Sequence, residues 1–169
     1  NQSKEIVENN IPKKIHFIHF GYTEFTFIHH YAIKTAYLNN TDYEINFYYT
    51  ELPEDNKWWN YSKEFITNLV YVVPPEEIFN NKLNHFAHKA DIVRLQKLIE
   101  HGGIYLDIDV WTNKSYDSLL SSDKSCIMGY QAKDSQFEGL CNAVIIAKPQ
   151  SEFLKIWLEQ YKTFNNQEW

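Results

Sequence analysis

Apolar and polar positions along the chain follow two periods, which predict strands interleaved with helices. Short runs dense in apolar and aromatic residues predict strands at Lys14–Phe20, Tyr43–Thr50, Leu69–Val73, Ile104–Asp107, Ser125–Tyr130 and Ala143–Ala147. Apolar residues at helical spacing predict helices at Thr26–Leu38, Lys57–Asn68, Asn84–His101 and Pro149–Thr163. This alternation predicts one α/β domain, a Rossmann-like, mostly parallel sheet flanked by helices.

The clearest junction lies between the helix Asn84–His101 and the strand Ile104–Asp107. Gly102 stands where a glycine commonly ends a helix, and the strand follows almost at once. Two carboxylates, Asp107 and Asp109, come at the exit of this apolar strand. In open α/β sheets ligands bind beyond the carboxyl ends of the strands, so these two residues are candidates for the site.

Composition narrows the choice of ligand. The net charge of −6 excludes nucleic acid as an expected partner, since a basic surface is absent from the sequence pattern. A diphosphate ligand would need a metal cation or a local basic side chain in so acidic a chain. No apolar run reaches the ~20 residues of a membrane helix, so no transmembrane segment is expected.

The Asp-x-Asp spacing itself predicts a metal site. In a strand, Asp107 and Asp109 would point to the same face, and a cation would relieve their mutual repulsion. Mg²⁺ or Mn²⁺ bound by one or two protein oxygens leaves positions for water and substrate phosphates. The alternative is a solvated strand end where both residues cap nearby amides.

The preceding helix adds a second pair of charges. Asp91 and Arg94 are three residues apart and therefore lie on one helix face. Arg94 could bind donor phosphates or a nearby carboxylate. The alternative is a mostly exposed ion pair between Asp91 and Arg94, which would contribute little to stability.

Together these residues resemble a known family. Ala90–Arg94 followed by Gly102–Asp109 looks like the DXD sugar-nucleotide-binding region of the GT-A glycosyltransferases, whose members include mannosyltransferases, capsular polysaccharide transferases and large clostridial glucosylating toxins. Ile11–Gly21 is similar to the family's opening strand, and Asn142–Ala147 to a later Asn-Ala stretch. The resemblance implies that residues 1–169 form a nucleotide-sugar-binding catalytic domain that lacks the family's C-terminal part.

The resemblance also implies roles for single residues. Asp109 would bind Mn²⁺ or Mg²⁺ directly, and Asp107 would bind the metal through water or hold the ribose and donor sugar. With Arg94 these two form the expected catalytic set. The donor-binding residues implied are Phe17, His19, Asp91, Arg94, Tyr105, Asp107 and Asn142. His19 stands where the family usually has Trp, so stacking on the base is altered.

The implied reaction is transfer of a hexose, with retention of configuration, from a UDP- or GDP-sugar to an acceptor hydroxyl. That acceptor is a glycan, a lipid or a protein.

Two alternative functions stay open. Haloacid-dehalogenase-type phosphatases also place Asp-x-Asp at a strand end, but favour Thr or Val where this chain has Trp111. A non-catalytic sugar-nucleotide-binding module is the other. A cytoplasmic and a Golgi lumenal location are both compatible with the sequence.

Overall fold

The computed structural model describes residues 10–21, 24–133 and 136–165. The strands are β1 Lys14–His19, β2 Glu44–Tyr49, β3 Asn68–Tyr71, β4 Glu77–Ile78, β5 Asn81–Lys82, β6 Gly103–Leu106, β7 Cys126–Lys133 and β8 Gln136–Ala147. The helices are α1 Phe27–Asn39, α2 Lys57–Ser62, α3 Phe86–His101, α4 Asp117–Leu120 and α5 Glu152–Gln160, with short 3₁₀ segments at Lys63–Phe65 and Tyr161–Thr163. No helix among the described residues has the length and apolar character needed to cross a membrane.

Six strands form one sheet in the order β3-β2-β1-β6-β8-β7. The first four are parallel to one another, whereas β8 is antiparallel to both β6 and β7. The predicted mostly parallel sheet is therefore confirmed. The chain runs outward from β1 to β3 on one side and returns to β6 on the other. The sheet thus has a topological switch point between β1 and β6, where ligands of open α/β folds bind.

Alternation along the strands builds a core on each face of the sheet. Ile15 and Phe17 of β1 point to the core beneath α1, whereas Ile18 points to the core beneath α3 and α5. Because side chains of a strand alternate between faces, both faces must be apolar when helices cover both. This explains why the predicted strands appear as almost continuous apolar runs.

The junction between α3 and β6 requires both of its glycines. Gly102 and Gly103 have positive φ angles of 64° and 106°. A Cβ at Gly103 would lie 2.5 Å from the carbonyl oxygen of Lys14, so β6 can approach β1 only without a side chain there. The imidazole Nε2 of His16 lies 2.8 Å from the Gly102 carbonyl oxygen and ties the same turn to β1.

Several predicted boundaries are wrong. The second helix was predicted to reach Asn68, but it ends at Ser62 and gives way to the 3₁₀ segment. The helix ends early because Thr67 forms hydrogen bonds with β2. The Thr67 amide donates to the Ile45 carbonyl oxygen at 2.9 Å, and the Ile45 amide donates to the Thr67 hydroxyl at 3.0 Å. The following residues therefore extend as β3.

The last two strands are longer than predicted, and three small elements were not predicted. β7 and β8 form one hairpin whose outer half is mostly exposed, so the apolar pattern marks only its inner half. The hairpin β4–β5 turns through Phe79 and Asn80, both with positive φ as a type I′ turn requires. The short helix α4 also has no clear periodicity.

Candidate active site

The predicted site residues meet at the carboxyl edge of the sheet. β1 ends at His19, and its parallel neighbour β6 ends at Leu106, one residue before Asp107. The structure therefore brings His19 and the Asp-x-Asp segment to the switch point.

Asp107 and Asp109 themselves lie in a turn. The amide of Asp107 donates to the Ala143 carbonyl oxygen of β8 at 2.8 Å, and the backbone then folds back with the Val110 amide donating to the Asp107 carbonyl oxygen at 3.0 Å. The prediction that Asp107 belongs to the strand is wrong. So is the argument that strand alternation orients both carboxylates, because the chain has left the sheet. Asp109 is exposed and Asp107 is half-buried.

Arg94 organises the α3 side of this turn. One terminal nitrogen, Nη2, lies 3.1 Å from Asp91 Oδ1 and 3.3 Å from Asp107 Oδ1. The other, Nη1, donates to the Asn142 carbonyl oxygen at 2.8 Å. The guanidinium carbon lies 4.3 Å from the centre of the Tyr105 ring, a cation–π contact. One side chain thus joins α3, β6, β8 and the turn.

Two further hydrogen bonds complete this cluster. The Tyr105 hydroxyl donates to Asp107 Oδ1 at 2.7 Å, and Asn142 Nδ2 donates to Asp91 Oδ1 at 3.2 Å. Asp107 Oδ1 therefore receives both a hydroxyl and a guanidinium. We call Asp91, Arg94, Tyr105, Asp107 and Asn142 the Arg94 cluster. The structure brings all five predicted residues together.

The burial of Arg94 overturns one expectation. The ion pair with Asp91 exists, but Arg94 is only 7% exposed, so the predicted mostly exposed pair is wrong. Its Nε has no hydrogen-bond partner among the described residues. Burial raises the pKa of Asp91, and the Arg94 charge opposes that rise. Burial also raises the pKa of the Tyr105 hydroxyl well above its usual range, so it stays a donor.

On the other side of the turn, Asp109 lies near His29 of α1. The negative charge of Asp109 favours the charged form of His29, although burial is the larger influence and lowers the pKa of His29. His29 Nδ1 accepts a hydrogen bond from the Thr26 amide at 3.1 Å, which leaves the ring proton of the neutral form on Nε2. Sequence reasoning missed His29. No sequence motif signals this approach, because a separate helix, α1, brings His29 to the turn.

His19 connects this turn to a cavity. Its ring lies 5.8 Å from that of His29, edge to face, and burial lowers its pKa to about 4. The cavity has a volume of about 210 Å³ and opens between the ends of β1 and β2. It is lined by His19, Gly21, Glu24, Phe25, Glu51, Leu52, Pro53 and Asn56.

Phe17, another residue predicted to bind the donor, is placed differently. It is 0% exposed and packs in the core beneath α1. In this structure Phe17 therefore supports the strand that carries His19 and does not line the cavity. Phe17 and His19 lie on the same face of β1, but His19 is at the carboxyl end of the strand and Phe17 is two residues further from that edge.

The carboxylates offer few ligands for a metal. Within residues 10–21, 24–133 and 136–165, no three His, Cys, Asp or Glu side chains come together as a metal-binding cluster. Mg²⁺ and Mn²⁺ at phosphate sites need only one or two protein carboxylates, with water and phosphate oxygens as the other ligands. The exposed carboxylate of Asp109 beside Asp107 suits a cation of this kind.

Comparison with known proteins identifies the family. The profile described as "Glycosyltransferase sugar-binding region containing DXD motif" matches residues 20–126, more than half of the chain. "Glucan organizing enzyme 1" of Cryptococcus neoformans var. grubii is 36% identical over 173 residues, covering 94% of this chain and 46% of that protein. The chain thus spans less than half the length of this curated relative.

Solved glycosyltransferases share the fold. PaToxG glycosyltransferase superposes with a TM-score of 0.59 at 20% identity, covering 89% of this chain and 59% of that one. The galactosyltransferase LgtC, solved with donor and acceptor sugar analogues, has a TM-score of 0.54 at 19% identity, covering 91% and 68%. The fold is therefore of the GT-A type, and the chain belongs to the family of glycosyltransferases whose sugar-binding region contains the DXD motif.

Proposed function

We propose that this chain binds a nucleoside-diphosphate sugar at the carboxyl edge of the sheet and transfers its hexose to an acceptor hydroxyl. The observation that carries the proposal is the turn at Asp107 and Asp109. It lies at the switch point of a GT-A sheet, with Asp107 fixed by the Arg94 cluster and Asp109 exposed near His29, whose ring contacts that of His19. Family membership supports the same reaction class over phosphate hydrolysis.

The proposed cofactor is Mn²⁺ or Mg²⁺, held by Asp109 and by Asp107 directly or through water. The exposed Asp109 carboxylate fits this role, because a cation there can still take phosphate oxygens as ligands. The metal would act as a Lewis acid that neutralises charge on the departing diphosphate. The base of a UDP- or GDP-sugar would occupy the cavity beside His19.

The Arg94 cluster is proposed to hold the donor sugar and to keep Asp107 in place. Both terminal nitrogens of Arg94 already have protein partners, so its main contribution is positioning. Tyr105 contributes in the same way, because its hydroxyl donates to Asp107. Asp91 and Asn142 are both partly exposed, and we place the sugar hydroxyls against them. Polar groups that the fold already holds in position stabilise the charge that develops in the transition state, because they need no rearrangement during the reaction.

The acceptor is proposed to be a glycan. Among the glycan, lipid and protein acceptors that the family resemblance allows, the relative's name, "Glucan organizing enzyme 1", favours a glucan. Retention of configuration follows only from the family resemblance. It would be tested by NMR of the anomeric proton in the first-formed product.

The decisive test is Asp109→Asn. The variant should abolish Mn²⁺-dependent binding of UDP and GDP in calorimetric titration while keeping the melting temperature, because an exposed carboxylate contributes little to folding. Asp123→Asn, an exposed carboxylate outside the site, is the matched control and should bind as the wild type does. Unchanged affinity in Asp109→Asn would make the metal assignment wrong. Binding of a nucleotide sugar without its hydrolysis or transfer would favour the non-catalytic module.

A further inference from the structure

A continuous line of aromatic rings, four of them exposed, runs from the Asp-x-Asp turn across α1 to α2. Neighbouring ring centres are 4.9, 5.5, 5.2 and 6.1 Å apart. We call these five residues the aromatic ribbon: Trp111, Tyr31, Phe27, Trp58 and Tyr61. Four of them are between 37% and 57% exposed, and Trp58 is partly buried.

The outer face of the helix beneath the ribbon is largely apolar. Phe27, Ile28, Tyr31 and Leu38 of α1 are all exposed, whereas a surface helix normally turns polar residues outward. Contiguous exposed apolar surface of this kind marks a binding site. We therefore expect the outer face of α1 to bind a partner.

The chemistry of the rings favours a carbohydrate. Four of the five residues are Tyr or Trp, which combine an apolar ring with a polar tip suited to a partner that is partly hydrated. The C–H faces of a sugar ring pack on such rings while its hydroxyls reach water or the polar tips. An anionic membrane surface is disfavoured, since the chain carries −6 and the helices that lie on such membranes are rich in Lys and Arg. A neutral glycan meets no such repulsion.

The ribbon is continuous with the candidate active site. Trp111 is two residues beyond Asp109, and its ring packs edge-on against Tyr31. A chain laid along the ribbon would therefore bring one end to the Asp-x-Asp turn.

We propose that the aromatic ribbon binds a neutral, linear glycan by ring stacking, and that this glycan is the acceptor. The acceptor role rests on the proposed function, whereas the contact between glycan and rings does not. The ribbon requires that a longer oligosaccharide bind more tightly than a short one, because only the longer chain reaches Tyr61 at the far end.

The test compares a disaccharide with an octasaccharide on variants of Tyr61. β-1,3-linked and α-1,4-linked glucan oligomers would serve as probes in calorimetric titration of the full chain. Tyr61→Ala should weaken octasaccharide binding about two- to tenfold, the effect of losing one ring contact, and leave the disaccharide unchanged. Tyr61→Phe keeps the ring and should bind as the wild type does. Tyr130→Ala removes an 80% exposed ring from β7 and is the matched control.

Three results would overturn the inference. These are no octasaccharide binding of either linkage, equal affinity for both lengths, or equal loss in Tyr61→Ala and Tyr130→Ala. Self-association or binding to phosphatidylcholine vesicles that Tyr61→Ala abolishes, without glycan binding, would assign the ribbon to a second copy or a membrane instead. Titration with Mn²⁺ and UDP separates the two proposals. Failure of the wild type to bind nucleotide sinks the proposed function, while octasaccharide binding alone decides on the glycan contact.

Discussion

Arg94, the only arginine in the sequence, holds two carboxylates, a carbonyl oxygen and an aromatic ring at the same time. Asp91 and Asp107 would repel each other without it, and both side chains are partly buried. Lysine keeps the charge but offers a single ammonium that cannot bridge all these partners with the planar fork of arginine. The residue therefore contributes to the fold and to the site together.

Arg94→Lys should lower both stability and donor affinity. We expect the free energy of unfolding to fall by about 1–3 kcal/mol, because hydrogen bonds to a buried charge are lost. Chemical denaturation would measure the loss. Lys155→Ala, which removes an exposed ion pair with Glu152, should change that free energy by less than about 1 kcal/mol.

Donor titration on the same protein completes the test. Weaker UDP or GDP binding with reduced stability is the expected pattern, since Asp107 loses its support. A full loss of donor binding at unchanged stability would instead show that Arg94 contacts the donor directly.

The sequence was sufficient to predict the location of a residue where its position relative to a strand end determines that location. A carboxylate pair at the exit of an apolar strand had to reach the edge of the sheet, and it does. The bond from Tyr105 to Asp107 and the approach of His29 to Asp109 were beyond reach, because a turn and a separate helix create them. The burial of Arg94 depends likewise on contacts with Tyr105 of β6 and Asn142 of β8, which are distant in sequence.

At the scale of elements, the α3–β6 junction sets the position of the site. α3 carries Arg94 and β6 leads to Asp107, so the angle between helix and strand determines whether the two residues meet. Gly102 and Gly103 make that angle possible.

Gly103→Ala should be severely destabilising, whereas Gly129→Ala should not. At Gly103 a methyl group meets the Lys14 carbonyl oxygen at 2.5 Å and the φ angle is 106°, a conformation that costs other residues about 1–3 kcal/mol by itself. At Gly129 a methyl group meets nothing within 4 Å. Thermal melts of both variants would check this, and equal melting temperatures would contradict the assigned role of the junction.

The same junction contains a pH-sensitive histidine. Burial lowers the pKa of His16 from 6.5 to about 4, and the nearby charges of His101, Lys14 and Lys97 act in the same direction. Between those two values the unfolded chain binds a proton that the folded chain does not. The free energy of unfolding therefore falls as the pH drops from 6.5 towards 4, and above pH 6.5 His16 causes no such loss.

Denaturation at a series of pH values would measure this dependence. We expect a contribution from His16 of up to about 1.4 kcal/mol for each pH unit in that window. His16→Gln keeps a donor for the Gly102 carbonyl oxygen but cannot take up a proton, so its curve should be flatter. A curve as steep as that of the wild type would place the titrating group elsewhere, with His19 the next candidate.

Elements with a strong period were predictable and those defined by pairing were not. α1 and α3 begin and end within two residues of their predicted bounds. The outer half of β7 and β8 is held by hairpin pairing, and its exposed side chains show no apolar alternation. The segment at Thr67 is extended only because β2 pairs with it.

At the scale of the whole molecule, topology and charge together favour one class of ligand. The switch point puts the carboxylates and the His19 cavity at one edge, while a net charge of −6 opposes a bare diphosphate. We therefore expect a cation to accompany the nucleotide. Binding of the two should be strongly coupled, and because a ligand that binds only the folded state stabilises it, the coupling will appear in the melting temperature.

Melting curves with and without ligand test this coupling and the nucleotide preference. At 100 times its dissociation constant, UDP or GDP with Mn²⁺ should add about 2.7 kcal/mol to the free energy of unfolding. For a chain of this size that raises the melting temperature by several degrees, at roughly 2–4 °C for each kcal/mol. The shift should disappear with EDTA and in Asp109→Asn. ATP and AMP with the same metal should shift it less, as the resemblance to UDP- and GDP-sugar transferases implies. An equal or larger shift with ATP would refute the nucleotide preference, and a full UDP shift in the presence of EDTA would refute the requirement for a metal.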